Sequence, residues 1–215
     1  MEFRYRKALG KDAKEVASIS AALSYPHLLA SGLNEEMLSQ SGFLLYPLEA
    51  NDDNKPNYLE RIEAAEHFWV VENSGSLVAF LMAYTFDCLR SIAYHTDNDV
   101  SIMEHFIGRM GMRGNVIYCA QLAVLPEYQK RGIAISLNRH AFDGIDGADY
   151  PAAICEIGQE PIWNEPSSLA FERCGFTPLF LRRKAMPYGA TRHRRSATFV
   201  RTFPCRRKPS GPVVM

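Results

Sequence analysis

The run Val116-Ile117-Tyr118-Cys119-Ala120-Gln121-Leu122-Ala123-Val124-Leu125 is apolar, rich in β-branched residues and stopped by Pro126, which makes it a mostly buried strand. Further on the period changes: Ala134, Leu137, Ala141 and Ile145 recur at helical spacing, so a helix begins near Ile133. Between the two lies Gln129-Lys130-Arg131-Gly132-Ile133-Ala134. A basic, glycine-containing turn from a buried strand into a helix aims several backbone N–H groups, and the positive end of the helix dipole, at one point in space. A diphosphate suits that point.

Around this unit, 215 residues suffice for one domain with a substantial core, and 47% apolar with 22% charged residues is an ordinary globular balance. No run approaches the roughly 18 apolar residues that span a bilayer, and Glu2, Arg4, Arg6 and Lys7 interrupt any signal-like stretch. A cytoplasmic protein with no membrane partner is expected. The five cysteines form no C-x-x-C and are odd in number, so free thiols are expected, four of them in apolar settings. The six histidines show no H-E-x-x-H spacing, and no metal site is expected. The zero net charge hides an asymmetry: all 24 acidic residues lie at or before Glu172, whereas from Arg173 onward there are 11 basic residues and no acid. That segment can dock on nucleic acid, or pack on the acidic body of its own chain or of a homodimer mate.

Along the chain, residues 3–9 read as a first strand, and Asp12 with Glu15 as a capping box for a helix that stops before Pro26. A short helix is expected at 35–40 and a polar loop at 44–56. Asn57 and Glu60 repeat the capping pattern for a helix through Glu66; residues 67–72 and 77–86 read as strands joined by a hairpin turn at Asn73-Ser74-Gly75. Ser101 and Glu104 cap a Met-rich helix stopped by Gly111. Residues 152–157 form the next strand; Pro166 opens a helix, Gly175 takes the left-handed position after it, and Phe176 makes the apolar contact that often follows such a stop. Residues 179–181 and 197–203 close the sheet, with a loop at 187–195 and a frayed tail at 208–215.

Gln129-x-x-Gly132-x-Ala134, preceded by Val124-Leu125-Pro126 and Tyr128, resembles the acyl-CoA signature Gln/Arg-x-x-Gly-x-Gly/Ala of the GNAT superfamily of N-acetyltransferases. Downstream, Asn164 followed by Phe171 and then Gly175-Phe176 is similar to the Asn-x6-Tyr-x3-Gly-Phe ending of the same fold. Together the two matches cover residues 116–176. The resemblance implies an α+β, GNAT-like fold: a central mixed, largely antiparallel sheet flanked by helices, with a splayed parallel strand pair holding CoA. It implies a single N-acetyltransferase domain over 1–215, with the acyl-CoA core at 116–176 and basic C-terminal strands and tail at 177–215.

By the same resemblance, Gln129, Lys130, Arg131, Gly132, Ile133 and Ala134 hold the diphosphate of acetyl-CoA, mainly through backbone N–H groups. Leu122, Ala123 and Val124 offer the strand edge that bonds the pantetheine amides. Asn164 is a pantetheine contact, the N-cap of the Pro166 helix, or both. Phe171 packs near the pantetheine where many members carry a Tyr that protonates the leaving thiolate. Phe cannot donate a proton, and a water, Tyr150 and Cys155 stand as alternatives. The attacking amine must be neutral, and an alkylamine with a pKa of about 10.4 needs a base to become so. Glu156 is the first candidate, although three more residues separate it from Asn164 than in the members it resembles, and a solvent-facing or structurally paired Glu156 is the alternative. Tyr118 is the second candidate.

The implied reaction is direct transfer from the cosubstrate acetyl-CoA to a primary amine in a ternary complex, without a metal. The acceptor is a small-molecule or peptide amine, and the acidic body leans toward a cationic one. Two other readings stand beside it. One is an acyl-CoA-binding protein with weak or no transferase activity. The other is a ribosome- or nucleic-acid-associated protein using its basic C-terminal segment, which lacks the aromatic–basic alternation of single-strand binders.

Overall fold

The computed structural model describes residues 2–29, 57–92, 97–111, 116–160, 165–185 and 193–205. Its strands are β1 (Phe3–Lys7), β2 (His67–Asn73), β3 (Ser76–Thr85), β4 (Ile117–Val124), β5 (Ala152–Glu160), β6 (Thr177–Ala185) and β7 (His193–Thr202). They form one seven-stranded sheet in the order β1-β2-β3-β4-β5-β7-β6. Six α-helices are described: α1 (Ala13–Leu29), α2 (Tyr58–Ala64), α3 (Phe86–Ile92), α4 (Asp97–Met110), α5 (Ile133–Phe142) and α6 (Glu165–Arg173). Every neighbouring strand pair is antiparallel except β4 with β5. A parallel pair needs a crossover, and α5 supplies it.

Strand alternation divides the core into two layers. Val16, Ile19, Tyr58, Ile62, Met103 and Phe106 of α1, α2 and α4 pack on one sheet face with Phe80, Tyr84, Tyr118 and Ile154. Ile133, Leu137, Phe142 and Phe171 of α5 and α6 pack on the other with Leu81, Ile117, Cys119 and Cys155. Strand β3 is covered on both sides, so its residues 77–84 read as an unbroken apolar run.

Local chemistry sets the turns. Ser74 (φ 52°) and Gly75 (φ 87°) are both left-handed, as the tight β2–β3 hairpin requires. Asn57 accepts from the Glu60 N–H at 2.9 Å while the Glu60 carboxylate accepts from the Asn57 N–H at 2.8 Å, the reciprocal cap expected for α2. Helix α6 ends in a Schellman motif: the Phe176 N–H donates to the Phe171 carbonyl, the Gly175 N–H to that of Glu172, and Gly175 is left-handed at φ 84°. The accompanying apolar contact is the Phe171 ring set edge-on to Phe176 at 5.0 Å.

Several expectations need correction. Asp12 and Glu15 form no capping box together: Asp12 accepts from the Leu9 N–H and from Arg6, while Glu15 accepts from the Leu77 N–H. Asp12 is taken by neighbours on its N-terminal side, three and six residues back, and Glu15 by a strand 62 residues away. The α1 backbone stays helical through Pro26 instead of stopping before it. Helix α4 begins at Asp97, ahead of the expected Ser101 cap, and α3 carries no periodicity long enough to be read. Strand β5 runs on to Glu160, and β6 and β7 are longer than expected, so 193–195 is strand and not loop. Cross-strand pairing extends polar stretches that have no strand pattern of their own. The helix at 35–40, the loop at 44–56, residues 187–192 and the tail at 208–215 lie outside the described residues. The cysteines are free, with Cys119, Cys155 and Cys174 buried, Cys88 half-buried and Cys205 exposed.

Two expected outcomes follow. A Cβ on Gly147 would overlap the Phe203 carbonyl, with backbone on every near side, so Gly147→Ala should cost about 1–3 kcal/mol in denaturant unfolding. The His67 imidazole is pushed down to about 4, mainly by burial and then by Lys7, so the folded state keeps it neutral. Between pH 6.5 and about 4 the unfolded chain takes up a proton that the folded chain refuses, so stability should fall as the pH falls through that window. His67→Phe, with Phe142 and Tyr150 already ringing the site, should flatten this part of the stability–pH curve by about 2 kcal/mol.

Candidate functional site

Strands β4 and β5 pair in register only at Ile117↔Ala153, Tyr118↔Ile154 and Cys119↔Cys155. Beyond that rung they part. On β4, Gln121 stands opposite Met82 and Cys119 opposite Ala83, which leaves Ala120 as the extra residue of a β-bulge at the point of parting. A bulge bends its strand and increases the local twist, so it turns β4 away from β5. Strand β5 follows β7 instead, pairing Glu156 with Thr198 and Glu160 with Arg195. Among the described residues, the backbone of Leu122, Ala123 and Val124 is laddered to β3 on one side only, and its other edge faces the opening.

The turn after β4 is held open at the mouth of this wedge. The Gln129 side chain donates to the Val124 carbonyl at 3.0 Å and fastens the loop to the strand end. Tyr128 accepts from Asn73 at 3.3 Å and meets Phe3 edge-on, while Arg131 lies 5.5 Å over the Tyr128 ring and donates to the Glu127 carbonyl. Lys130 (φ 60°) and Gly132 (φ 78°) are both left-handed, and Gly132 is the N-cap of α5. The first intrahelical bond runs from the Ser136 N–H to the Gly132 carbonyl, so helix geometry leaves the N–H groups of Gly132, Ile133, Ala134 and Ile135 without an intrahelical acceptor. A Cβ built on Gly132 meets nothing within 4 Å among the described residues, so the space beside Gly132 is open. Ile133 is buried beneath the turn, and Gln129, Lys130, Arg131 and Gly132 are exposed. Such a cradle can take a diphosphate.

Tyr118 and Glu156 share the sheet face covered by α1, α2 and α4, since Tyr118 stands opposite Ile154 and Glu156 is two residues further along β5. Tyr118 is buried and Glu156 half-buried. Two features of this face were missed in the sequence. Tyr58, at the first turn of α2, donates to Gln121 at 3.0 Å beside the bulge, and Arg61, 1% exposed, donates to the Tyr84 hydroxyl at 3.1 Å. The capping pattern locates the start of α2, but nothing in the sequence ties its side chains to a strand some sixty positions away.

Phe171 is buried between α6 and the sheet against Phe176. Cys155 belongs to the same layer, away from Glu156, and burial raises its thiol well above the ordinary range, with Cys119 and Glu156 adding to the effect. Tyr150 precedes β5, at the end of the sheet remote from the wedge, and donates to Glu66 at 3.0 Å; burial and that bond raise its phenol. Neither is placed to deliver a proton into the wedge. Asn164 lies outside the described residues. Among the described residues no group of three or more His, Cys, Asp or Glu could hold a metal ion, and no helix is long and apolar enough to cross a membrane.

Residues 34–176 match the family described as Acetyltransferase (GNAT) family. No curated protein matches in a sequence comparison. Among solved structures, an agmatine N-acetyltransferase mutant in its apo form is similar at TM-score 0.60 and 14% identity, covering 94% of this chain and 100% of that one. The ribosomal-protein-S18-alanine N-acetyltransferase of Escherichia coli is similar at TM-score 0.53 and 13% identity, covering 97% and 98%. NAA60 of Arabidopsis thaliana in complex with acetyl-CoA is similar at TM-score 0.55 and 14% identity, covering 94% and 100%. At these identities the likeness is one of fold.

Removing the Gln129 amide should loosen the turn without touching the core. Gln129→Leu is expected to lower stability by about 1 kcal/mol in urea unfolding, with an unchanged denaturant slope.

Proposed function

Because the chain belongs to the acetyltransferase (GNAT) family, we propose that it transfers an acetyl group from acetyl-CoA to a primary amine by direct attack in a ternary complex. The observation that carries this reading is the wedge between β4 and β5, with the Gly132 cradle at its mouth and the free edge of β4 along one wall. Those features fit the coenzyme: the cradle takes the diphosphate on main-chain N–H groups, and the open edge of Leu122, Ala123 and Val124 takes the amides of the pantetheine arm. An N–H on that edge can donate to the thioester oxygen as negative charge builds on it.

The acceptor amine arrives mostly protonated, with a pKa of about 10.4, and must shed that proton. Glu156 is the proposed base, on the sheet face it shares with Tyr118, and Tyr118 is the second candidate. Phe171 offers no proton to the departing sulfur. A thiol with a pKa of about 8.5 can leave as thiolate at neutral pH, so no dedicated acid is required. Asn164, next to α6, is proposed as a further contact of the pantetheine. The similar structures include an agmatine N-acetyltransferase and a ribosomal-protein N-acetyltransferase, so small amines and polypeptides are both acceptor classes to test.

Release of CoA from acetyl-CoA across a panel of amines and peptides, followed by thiol detection, tests the assignment. Glu156→Gln should lower kcat/KM by about 10²- to 10⁴-fold and remove the acidic limb of its pH profile. Full activity across pH in that variant would exclude Glu156 as the base. Gly132→Ala should weaken coenzyme binding in calorimetry and, although its Cβ meets no neighbour, lower stability by about 1–2 kcal/mol because the left-handed φ of 78° strains any side chain. Coenzyme binding without CoA release from any acceptor would leave an acyl-CoA-binding protein.

A further inference from the structure

Strand β7 carries one polar side chain inside an apolar run. Thr198 lies between Ala197 and Phe199-Val200 and is 0% exposed, and its Oγ1 is buried with no hydrogen-bond partner among the described residues. Buried polar atoms of side chains nearly always have a partner, and one left without it destabilises the fold. A valine would fill almost the same space without that cost. Packing therefore gives no reason for the hydroxyl.

Register shows what the hydroxyl faces. Ile154 and Val200 stand directly opposite each other in the layer under α1, α2 and α4, and two residues along each strand Glu156 stands opposite Thr198 on that same face. Between them Cys155 opposite Phe199, and beyond them Ile157 opposite Ala197, belong to the other layer, so the alternation is unbroken. Residues directly opposite across an antiparallel pair hold their Cβ atoms about 4.5–5.5 Å apart. Oγ1 is bonded to its Cβ, and the Glu156 side chain is longer, so the two groups lie within hydrogen-bond reach, directly or through one water. The other cross-strand neighbour of Thr198 is Phe180, whose ring packs on the same layer and has no polar atom to compete. In the sheet order Glu156 is on β5, next to the wedge, and Thr198 is one strand behind it.

We propose that Thr198 is a positioning residue for Glu156: its hydroxyl donates to one carboxylate oxygen and fixes the rotamer, which leaves the second oxygen to accept the proton of the acceptor amine. During the reaction that proton passes from the ammonium to the carboxylate, and the threonine keeps its own. This rests on the transferase reading with Glu156 as base and deepens it. Preorganisation of this kind trades stability for activity, since the hydroxyl is a burden to the fold and an asset only to the base.

The test uses the full chain, acetyl-CoA and whichever amine or peptide of the panel releases CoA fastest. Thr198→Val should lower kcat about tenfold while the acceptor KM and the coenzyme affinity in calorimetry stay unchanged. Its melting temperature should hold or rise, because a buried hydroxyl without a partner is gone. Thr198→Ser keeps the donor and should retain most of kcat. In the Glu156→Gln background the same valine should cost nothing further, since the group it positions has been removed. Full kcat in Thr198→Val, an equal loss in the valine and serine variants, or a tenfold loss that persists in Glu156→Gln would each overturn the proposal. So would a fall in kcat and melting temperature together, which marks a purely structural threonine. The two readings fail separately: Glu156→Gln at full activity removes the base and this inference with it, whereas an impaired Glu156→Gln beside a fully active Thr198→Val overturns this inference alone.

Discussion

The site exists because two parallel strands stop pairing. After the Cys119↔Cys155 rung the β4 backbone turns away from β5 at the Ala120 bulge, and each strand completes its hydrogen bonds with its antiparallel neighbour instead. Among the described residues, main-chain groups on the inner edge of β4 beyond that rung thereby have no ladder partner, at a sheet position otherwise covered on both sides. Unpaired backbone polar groups of this kind are costly when dry. An extended ligand with its own amides can take the place of the missing strand.

The rest of the molecule holds this opening in shape. On one face Tyr58 bonds Gln121 next to the bulge and Arg61 bonds Tyr84, so α2 is tied to β3 and β4 at the level where the wedge opens. On the other face Phe171 and Phe176 close the end of α6 against the sheet. The Phe171 ring serves the helix stop through that contact. The thiols of Cys119 and Cys155, buried in the same layer, hold their protons and behave as small apolar groups.

Charge is distributed along the same axis. The turn at Gly132 lies at the end of β4, with Lys130 and Arg131 exposed beside it. Glu156 sits further in, on the face shared with Tyr118.

Sequence alone determined the features governed by neighbours along the chain. The Pro126 stop, the Gly132 turn into α5, the Asn57–Glu60 cap and the Gly175-Phe176 ending of α6 are each set by dihedral and hydrogen-bond preferences within a few residues. Tertiary structure decided what depends on partners distant in the chain. Glu15 turned to Leu77, and Tyr58 to Gln121. The Ala120 bulge, the length of β5 and the backbone pairing of β6 with β7 are properties of register. Register is fixed by which faces are buried and which strands meet, and no single strand carries that information.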